Sequence, residues 1–156
     1  FPRRVESLFV ADMAPRAYAP VYEGIFTALL TLKLGDFQSR QEIEDALAPE
    51  IPDLVLRRFL LKNLGRDAGG KFKWKINLRG LSLNYLRLCE PMAASAPFAG
   101  PALFIRGGKS DYVRAQDEPQ IRELFSNSQI QTIASAGHWL HAEATEEFVA
   151  RLLDFL

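Results

Sequence analysis

Two carboxylates and one imidazole stand just beyond three short apolar runs of this sequence. Asp12 follows Ser7-Leu8-Phe9-Val10-Ala11. Asp111 follows Pro101-Ala102-Leu103-Phe104-Ile105-Arg106 and the loop Gly107-Gly108-Lys109-Ser110. His138 follows Gln129-Ile130-Gln131-Thr132-Ile133-Ala134, within Ala136-Gly137-His138-Trp139. A histidine oriented by a carboxylate acts as a general base. The two are the second and third members of a nucleophile–base–acid triad. Each residue also has a plainer use. Asp12 before Met13-Ala14-Pro15 can make a turn, Asp111 can be a loop turn residue, and His138 can pack on Trp139. The catalytic reading is preferred because one sheet edge can gather all three.

Other residues carry weaker signals. Gly108-Lys109-Ser110-Asp111-Tyr112 looks like half of the Gly-x-Ser-x-Gly nucleophile elbow, but its second glycine is missing and no complete copy occurs in the chain. Cys89 lies in a helical stretch without basic surroundings and reads as packing. His138, His141 and Glu143 suggest a metal only weakly, since no further ligand cluster accompanies them, and His141 reads as structural. There is no phosphate-cradling glycine loop and no dinucleotide fingerprint, so no cofactor is expected. Lys71-Phe72-Lys73-Trp74-Lys75 reads as a solvated strand face rather than a nucleic-acid surface.

The elements that must position these residues follow from periodicity. The first two apolar runs are nearly continuous, as in parallel strands covered on both faces. The third, with Ile130 and Ile133 as its main apolar positions, alternates more and belongs near an edge. A helix over Asp117–Phe125 follows the second strand, with Ile121, Leu124 and Phe125 on one side. A last helix opens at Thr145 as N-cap, with Phe148, Val149, Leu152, Leu153 and Leu156 as its stripe. Strand, helix, strand, helix predicts a parallel sheet with right-handed crossovers. The carboxyl ends of parallel strands share one edge, where ligands bind in open α/β sheets.

About 90 residues separate the first two strands, too many for one crossover. They read as helices over Tyr22–Leu34, from Ser39 with Glu42 as a capping box, over Asp53–Leu64 and over Leu78–Leu88. A short strand through Phe72, Trp74 and Ile76 precedes the last of these. The expected fold class is α/β: a parallel sheet of three strands with flanking helices and an inserted helical cap. Residues 1–15 and 97–156 form the core, and residues 16–96 form the cap or lid.

Composition narrows the class of function. The chain has 156 residues, 19 basic and 19 acidic, with 48% hydrophobic residues. A neutral balance lacks the electrostatic footprint of a nucleic-acid binder. No apolar run approaches the roughly 18 residues of a membrane span. A single cysteine excludes an internal disulfide and points to a reducing compartment, the cytoplasm. Arg3-Arg4 ahead of Leu8–Ala11 is a faint twin-arginine pattern, but Asp12 ends the apolar run well short of the about 7–15 residues of a signal core. The first residue is Phe1, which suggests a start inside a longer protein.

The sequence resembles the α/β-hydrolases, from their sixth strand to their last helix. Within them it is similar to the small YbfF-type esterases and their mitochondrial relatives. The resemblance rests on Leu8-Phe9-Val10-Ala11-Asp12-Met13-Ala14-Pro15, Phe59-Leu60-Leu61-Lys62-Asn63-Leu64, Phe72-Lys73-Trp74-Lys75-Ile76-Asn77-Leu78, Ala102-Leu103-Phe104-Ile105-Arg106-Gly107-Gly108 and Ala136-Gly137-His138-Trp139-Leu140-His141-Ala142-Glu143. It implies a serine hydrolase acting on carboxylic esters or thioesters, with a catalytic triad and no cofactor or metal. His138 falls on the base. Asp111 falls where most members keep the acid, and Asp12 where the YbfF-type subgroup keeps it. Neighbouring strands are about 4.8 Å apart, which favours Asp111, whereas the path from the histidine to a serine on the fifth strand passes over Asp12. Both stay open. Ser110 matches a subgroup serine near the site. Ile25, Phe26, Leu29, Phe59, Leu60 and Trp139 are expected to contact substrate.

The family's nucleophilic serine and oxyanion hole belong to an amino-terminal half that these residues do not include. A triad without its nucleophile retains at most the residual effects of binding and charge, and a first strand without its neighbour exposes an apolar edge. The chain is therefore expected to pair with the missing half or with another copy. Two alternatives remain: a non-catalytic fragment that binds a partner through that edge, and another α/β-hydrolase chemistry such as epoxide, haloalkane or carbon–carbon bond hydrolysis.

Overall fold

A computed structural model describes residues 4–156. Phe1 to Arg3, which include the first of the paired arginines and the start of the expected segment 1–15, lie outside the described residues. In chain order the elements are β1 (Leu8–Ala11), α1 (Glu23–Thr31), a 3-10 turn (Leu34–Asp36), α2 (Arg40–Leu47), α3 (Leu54–Leu61), β2 (Leu64–Arg66) and β3 (Phe72–Trp74). Then come α4 (Leu78–Leu83), α5 (Tyr85–Leu88), β4 (Ala102–Gly107), a second 3-10 turn (Ala115–Asp117), α6 (Glu118–Leu124), β5 (Ser128–Ile133), α7 (Leu140–Glu143) and α8 (Thr145–Phe155). Among the described residues no helix is long and apolar enough to cross a membrane.

The chain forms two compact units, one of residues up to Ala17 and from Pro91 onward, the other of Tyr18–Glu90. The first is built on a parallel sheet of order β1-β4-β5. Leu8 pairs with Ala102 and Ala11 with Ile105, while Ala102 pairs with Ser128 and Gly107 with Ile133. Side-chain alternation sends one set to each face. Leu8, Val10, Ala102, Phe104 and Ile130 pack with Ile121, Leu124 and Phe125 on the α6 side. Phe9, Leu103, Ile105 and Ile133 pack with Leu140, Phe148 and Phe155 on the α8 side. Both faces are covered, so β4 carries an almost unbroken apolar run. Ile130 and Ile133, three apart, serve opposite faces, and β5 lies at one end of the sheet order.

The last helix departs from expectation in two ways. Thr145 is its first residue rather than its cap, and the Thr145 hydroxyl donates to the His141 carbonyl at 2.7 Å. Its packed positions are Phe148 and Phe155, while Val149, Leu153 and Leu156 are exposed. Spacing of about 3.6 residues per turn puts residues seven apart on one face, and the wider leucine-rich stripe overstates what the sheet can cover.

The second unit has its own core of Ala28, Leu29, Ile43, Leu47, Ile51, Leu61, Leu64 and Leu78. Ser39 caps α2 by accepting from the Glu42 N–H at 3.2 Å, but the Glu42 carboxylate accepts from Gln38, not from Ser39. The capping box is therefore only half of the predicted one. Asp53 caps α3 through the N–H groups of Val55 and Leu56. That helix stops at Leu61, because Leu64–Arg66 leaves it to pair antiparallel with Phe72–Trp74. The stretch predicted as one helix over Leu78–Leu88 breaks at Asn84 into α4 and α5. At the neck of this unit the Tyr18 N–H donates to the Cys89 carbonyl at 2.9 Å; in the sheet unit the Met92 N–H donates to the Pro15 carbonyl at 2.7 Å.

One glycine sets how closely the loops past the sheet approach each other. A Cβ on Gly107 would lie 2.7 Å from the carbonyl oxygen of Ala136 and closer still to that of Gly137. Both obstacles are backbone, which cannot rotate away. Gly107→Ala is therefore expected to lower stability by about 1–3 kcal/mol, the ordinary cost of overpacking, read as a lower urea-unfolding midpoint. An unchanged midpoint would show that the loop carrying His138 yields freely.

Candidate active site

Asp12 follows β1 directly, in a conformation that few side-chain-bearing residues adopt. Its N–H completes the ladder by donating to the Ile105 carbonyl at 2.7 Å, and its φ is then +46°, in the left-handed region. For an L-residue that geometry costs about 1–2 kcal/mol, less for Asp than for most. The turn sends its carboxylate back over the sheet edge, where it is 1% exposed. A buried carboxylate must be hydrogen-bonded, and this one has three partners. Oδ1 accepts from the Gly107 N–H at 3.0 Å. Oδ2 accepts from the Ser110 hydroxyl at 2.5 Å and meets His138 Nδ1 at 2.8 Å. An uncommon backbone conformation at a buried, fully hydrogen-bonded carboxylate makes Asp12 a candidate functional residue.

The other partners come from the loops after β4 and β5. Ser110 is fixed by the Tyr112 N–H, which donates to its Oγ at 3.2 Å. Its hydroxyl proton is committed to Asp12, so Ser110 acts on that carboxylate. The Tyr112 ring lies flat on the His138 imidazole, with centroids 3.7 Å apart and planes 14° from parallel. His138 therefore has one edge on a buried carboxylate and one face on an aromatic ring, yet its side chain is 41% exposed. Such an imidazole can exchange a proton with an outside group through its second nitrogen.

Asp111 is placed differently. Its side chain is 92% exposed and faces Arg114 at 3.7 Å, while its backbone carbonyl accepts from Arg16 and Arg114. The structure thus brings Asp12, not Asp111, to the histidine. Asp111 lies beyond a loop that turns outward after Gly107, and strand adjacency alone did not reveal that turn. Arg16 also pairs with the buried Asp117 at 3.3 Å, which ties the segment after β1 to the start of α6.

Trp139 follows the histidine and stacks on His141, with centroids 6.4 Å apart. Of the apolar candidates in the helical unit, Leu29 belongs to that unit's core, and Ile25, Phe26 and Leu60 pack partly buried against it. Phe59 is 42% exposed, with the Lys62 ammonium 5.9 Å from its ring centroid. Sequence reasoning missed Tyr112 altogether and weighed Glu143 only as a metal ligand. Position two after Ser110 was the available pointer to Tyr112, since one short loop can carry contacts to both acid and base.

Known proteins resemble this chain in sequence, and a solved structure resembles it in fold. The mouse sn-1-specific diacylglycerol lipase ABHD11 is 34% identical over 161 residues, which cover 99% of this chain and 52% of that protein. Esterase YbfF of Escherichia coli K12 is 29% identical, over 98% of this chain and 58% of its own length. Among solved structures, a marine microorganism esterase superposes with a TM-score of 0.91 at 36% identity, covering 99% of this chain and 62% of that one. No family model matches the chain. The chain thus spans about half the length of the curated relatives it matches. The resemblance to the α/β-hydrolases and their YbfF-type small esterases holds in sequence, and the fold of this chain is that of part of an α/β-hydrolase, a parallel three-stranded sheet with flanking helices.

Proposed function

We propose that this chain supplies the base and the acid of a serine hydrolase that cleaves carboxylic esters or thioesters. The supporting observation is the contact of Asp12 with His138 at 2.8 Å, made by a carboxylate that is almost wholly buried and held by two further donors. With Nδ1 held on Asp12, Nε2 is the nitrogen that takes the proton of an attacking serine. As the serine oxygen bonds to the ester carbonyl, a tetrahedral oxyanion forms and Asp12 stabilises the imidazolium. The imidazolium then protonates the leaving alkoxide as the carbon–oxygen bond breaks. Water attacks the acyl-serine by the same route in reverse, with His138 again as base. The names of the relatives, esterase and lipase, support the ester class. We assign acyl recognition to the helical unit, with Phe59 foremost, and a cytoplasmic location on the strength of the single cysteine.

The nucleophile and its oxyanion hole then come from polypeptide outside these residues. The test uses the complete protein containing this chain, a fluorophosphonate probe and p-nitrophenyl butyrate. Labelling of one serine outside the present 156 residues, with parallel loss of ester hydrolysis, is expected. Labelling of Ser110, or full hydrolysis after complete labelling, contradicts the assignment. A second reading is favoured by β1, whose one described partner in the sheet is β4. It makes the chain a non-catalytic module that pairs through that edge with a missing half or a second copy. A complete protein that neither labels nor hydrolyses esters would favour it.

A further inference from the structure

Resting on that functional reading, we propose that Glu143 is a positioning residue for the base, acting on the backbone that carries His138 rather than on its ring. The two oxygens of the Glu143 carboxylate divide between the two residues flanking the histidine. Oε2 accepts from the Gly137 N–H at 2.8 Å, and Oε1 accepts from the Trp139 N–H at 3.2 Å. The Ala136–Gly137 peptide and the His138–Trp139 peptide, which bracket the Gly137–His138 link, are thereby held by one rigid planar group. Charged acceptors make such bonds stronger than a neutral group would.

The fit around this clamp is close. A Cβ on Gly137 would lie 3.2 Å from Glu143 Oε1 and 3.3 Å from Oε2, so a side chain at 137 would press on the carboxylate. On its far side the same loop rests on the end of β4. The Lys109 N–H donates to the Ala136 carbonyl at 3.0 Å, and Gly107 leaves room for the carbonyls of Ala136 and Gly137. The His138 loop is thus held between β4 and α7, with Glu143 as the α7 side of the grip. The contact to Asp12 needs that grip, because Asp12 is fixed by its own strand and cannot follow a loop that drifts. A displacement near 1 Å at a catalytic group costs about 100-fold in rate.

The experiment compares Glu143→Ala and Glu143→Gln with wild type and with His138→Ala, all in the complete protein. Glutamine keeps the shape but has one accepting oxygen, so its amide nitrogen must face one of the two N–H donors. Glu143→Ala is expected to lower kcat per titrated active serine about 10- to 100-fold with KM within about twofold, and Glu143→Gln to fall between it and wild type. The backbone amide proton resonances of Gly137 and Trp139 should move upfield in the same order, a readout independent of turnover. Wild-type kcat in Glu143→Ala, with His138→Ala inactive, overturns the clamp and leaves the functional reading standing. Wild-type kcat in His138→Ala removes the reading and the clamp together. Unmoved amide resonances in both Glu143 variants also overturn the clamp.

Discussion

On the proposed reading, replacing His138 with alanine in the complete protein is expected to lower kcat for p-nitrophenyl butyrate by about four to six orders of magnitude, the effect of removing the base from a hydrolytic triad. KM changes little, because the imidazole acts on a proton that moves only as the serine attacks. The fold survives the change. The His138 side chain is 41% exposed and lies outside the two apolar clusters of the sheet unit, so its loss opens no core cavity. Steady-state kinetics beside a thermal unfolding scan reads both halves of the expectation. A variant that keeps its turnover would remove His138 from the mechanism, and one that merely unfolds would show that the residue is structural.

Asp12→Asn should lower kcat by about 10⁴-fold, and the reason lies in how the carboxylate is used. Asparagine has one accepting oxygen where three donors converge. If its oxygen takes the place of Oδ2, its amide nitrogen faces the N–H of Gly107, 3.0 Å from that carboxylate oxygen in the native chain. If the amide is turned over, its nitrogen faces Ser110 and His138 Nδ1, at 2.5 and 2.8 Å from Oδ2. The imidazole must then accept at Nδ1 and carry its proton on Nε2, where a base is needed. Either orientation also deletes the negative charge that stabilises the imidazolium. Unfolding stability should fall by about 1–3 kcal/mol, since one buried donor is left unpaired. Asp111→Asn, at a 92% exposed side chain, should leave turnover essentially unchanged. Kinetics on the two asparagine variants side by side names the acid, and the reverse ranking would transfer the role to Asp111.

The strands were legible because burial on both faces leaves a compositional trace. Residues 8–11 and 102–105 are apolar on consecutive positions, and turn residues mark the ends of their strands. The helical unit was legible in outline but not in its breaks. Leu64-Gly65-Arg66 looks like the end of a helix until its pairing with Phe72–Trp74 is seen, and nothing local announces the interruption at Asn84. The site divided in the same way. Topology brings Asp12, Asp111 and His138 to one edge and goes no further. The choice between the acids depends on backbone direction after each strand: a left-handed turn at Asp12 and an outward loop at Asp111. Tyr112 and Glu143 stayed hidden for a related reason. Periodicity reports which way side chains point in strands and helices, but it is silent on a loop or a single turn.

The paired hydrogen bonds at Tyr18–Cys89 and Pro15–Met92 give the long excursion a pinched stem. A segment whose two ends are already fastened together can be lengthened, shortened or grafted from a cousin while the scaffold on either side keeps its register. Asp12 and His138, the acid and base of the proposed reading, both belong to the sheet unit on the scaffold side of that stem. On the proposed assignment of acyl recognition to that contiguous stretch, exchanging it is expected to change selectivity while the contact of Asp12 with His138 stays as it is.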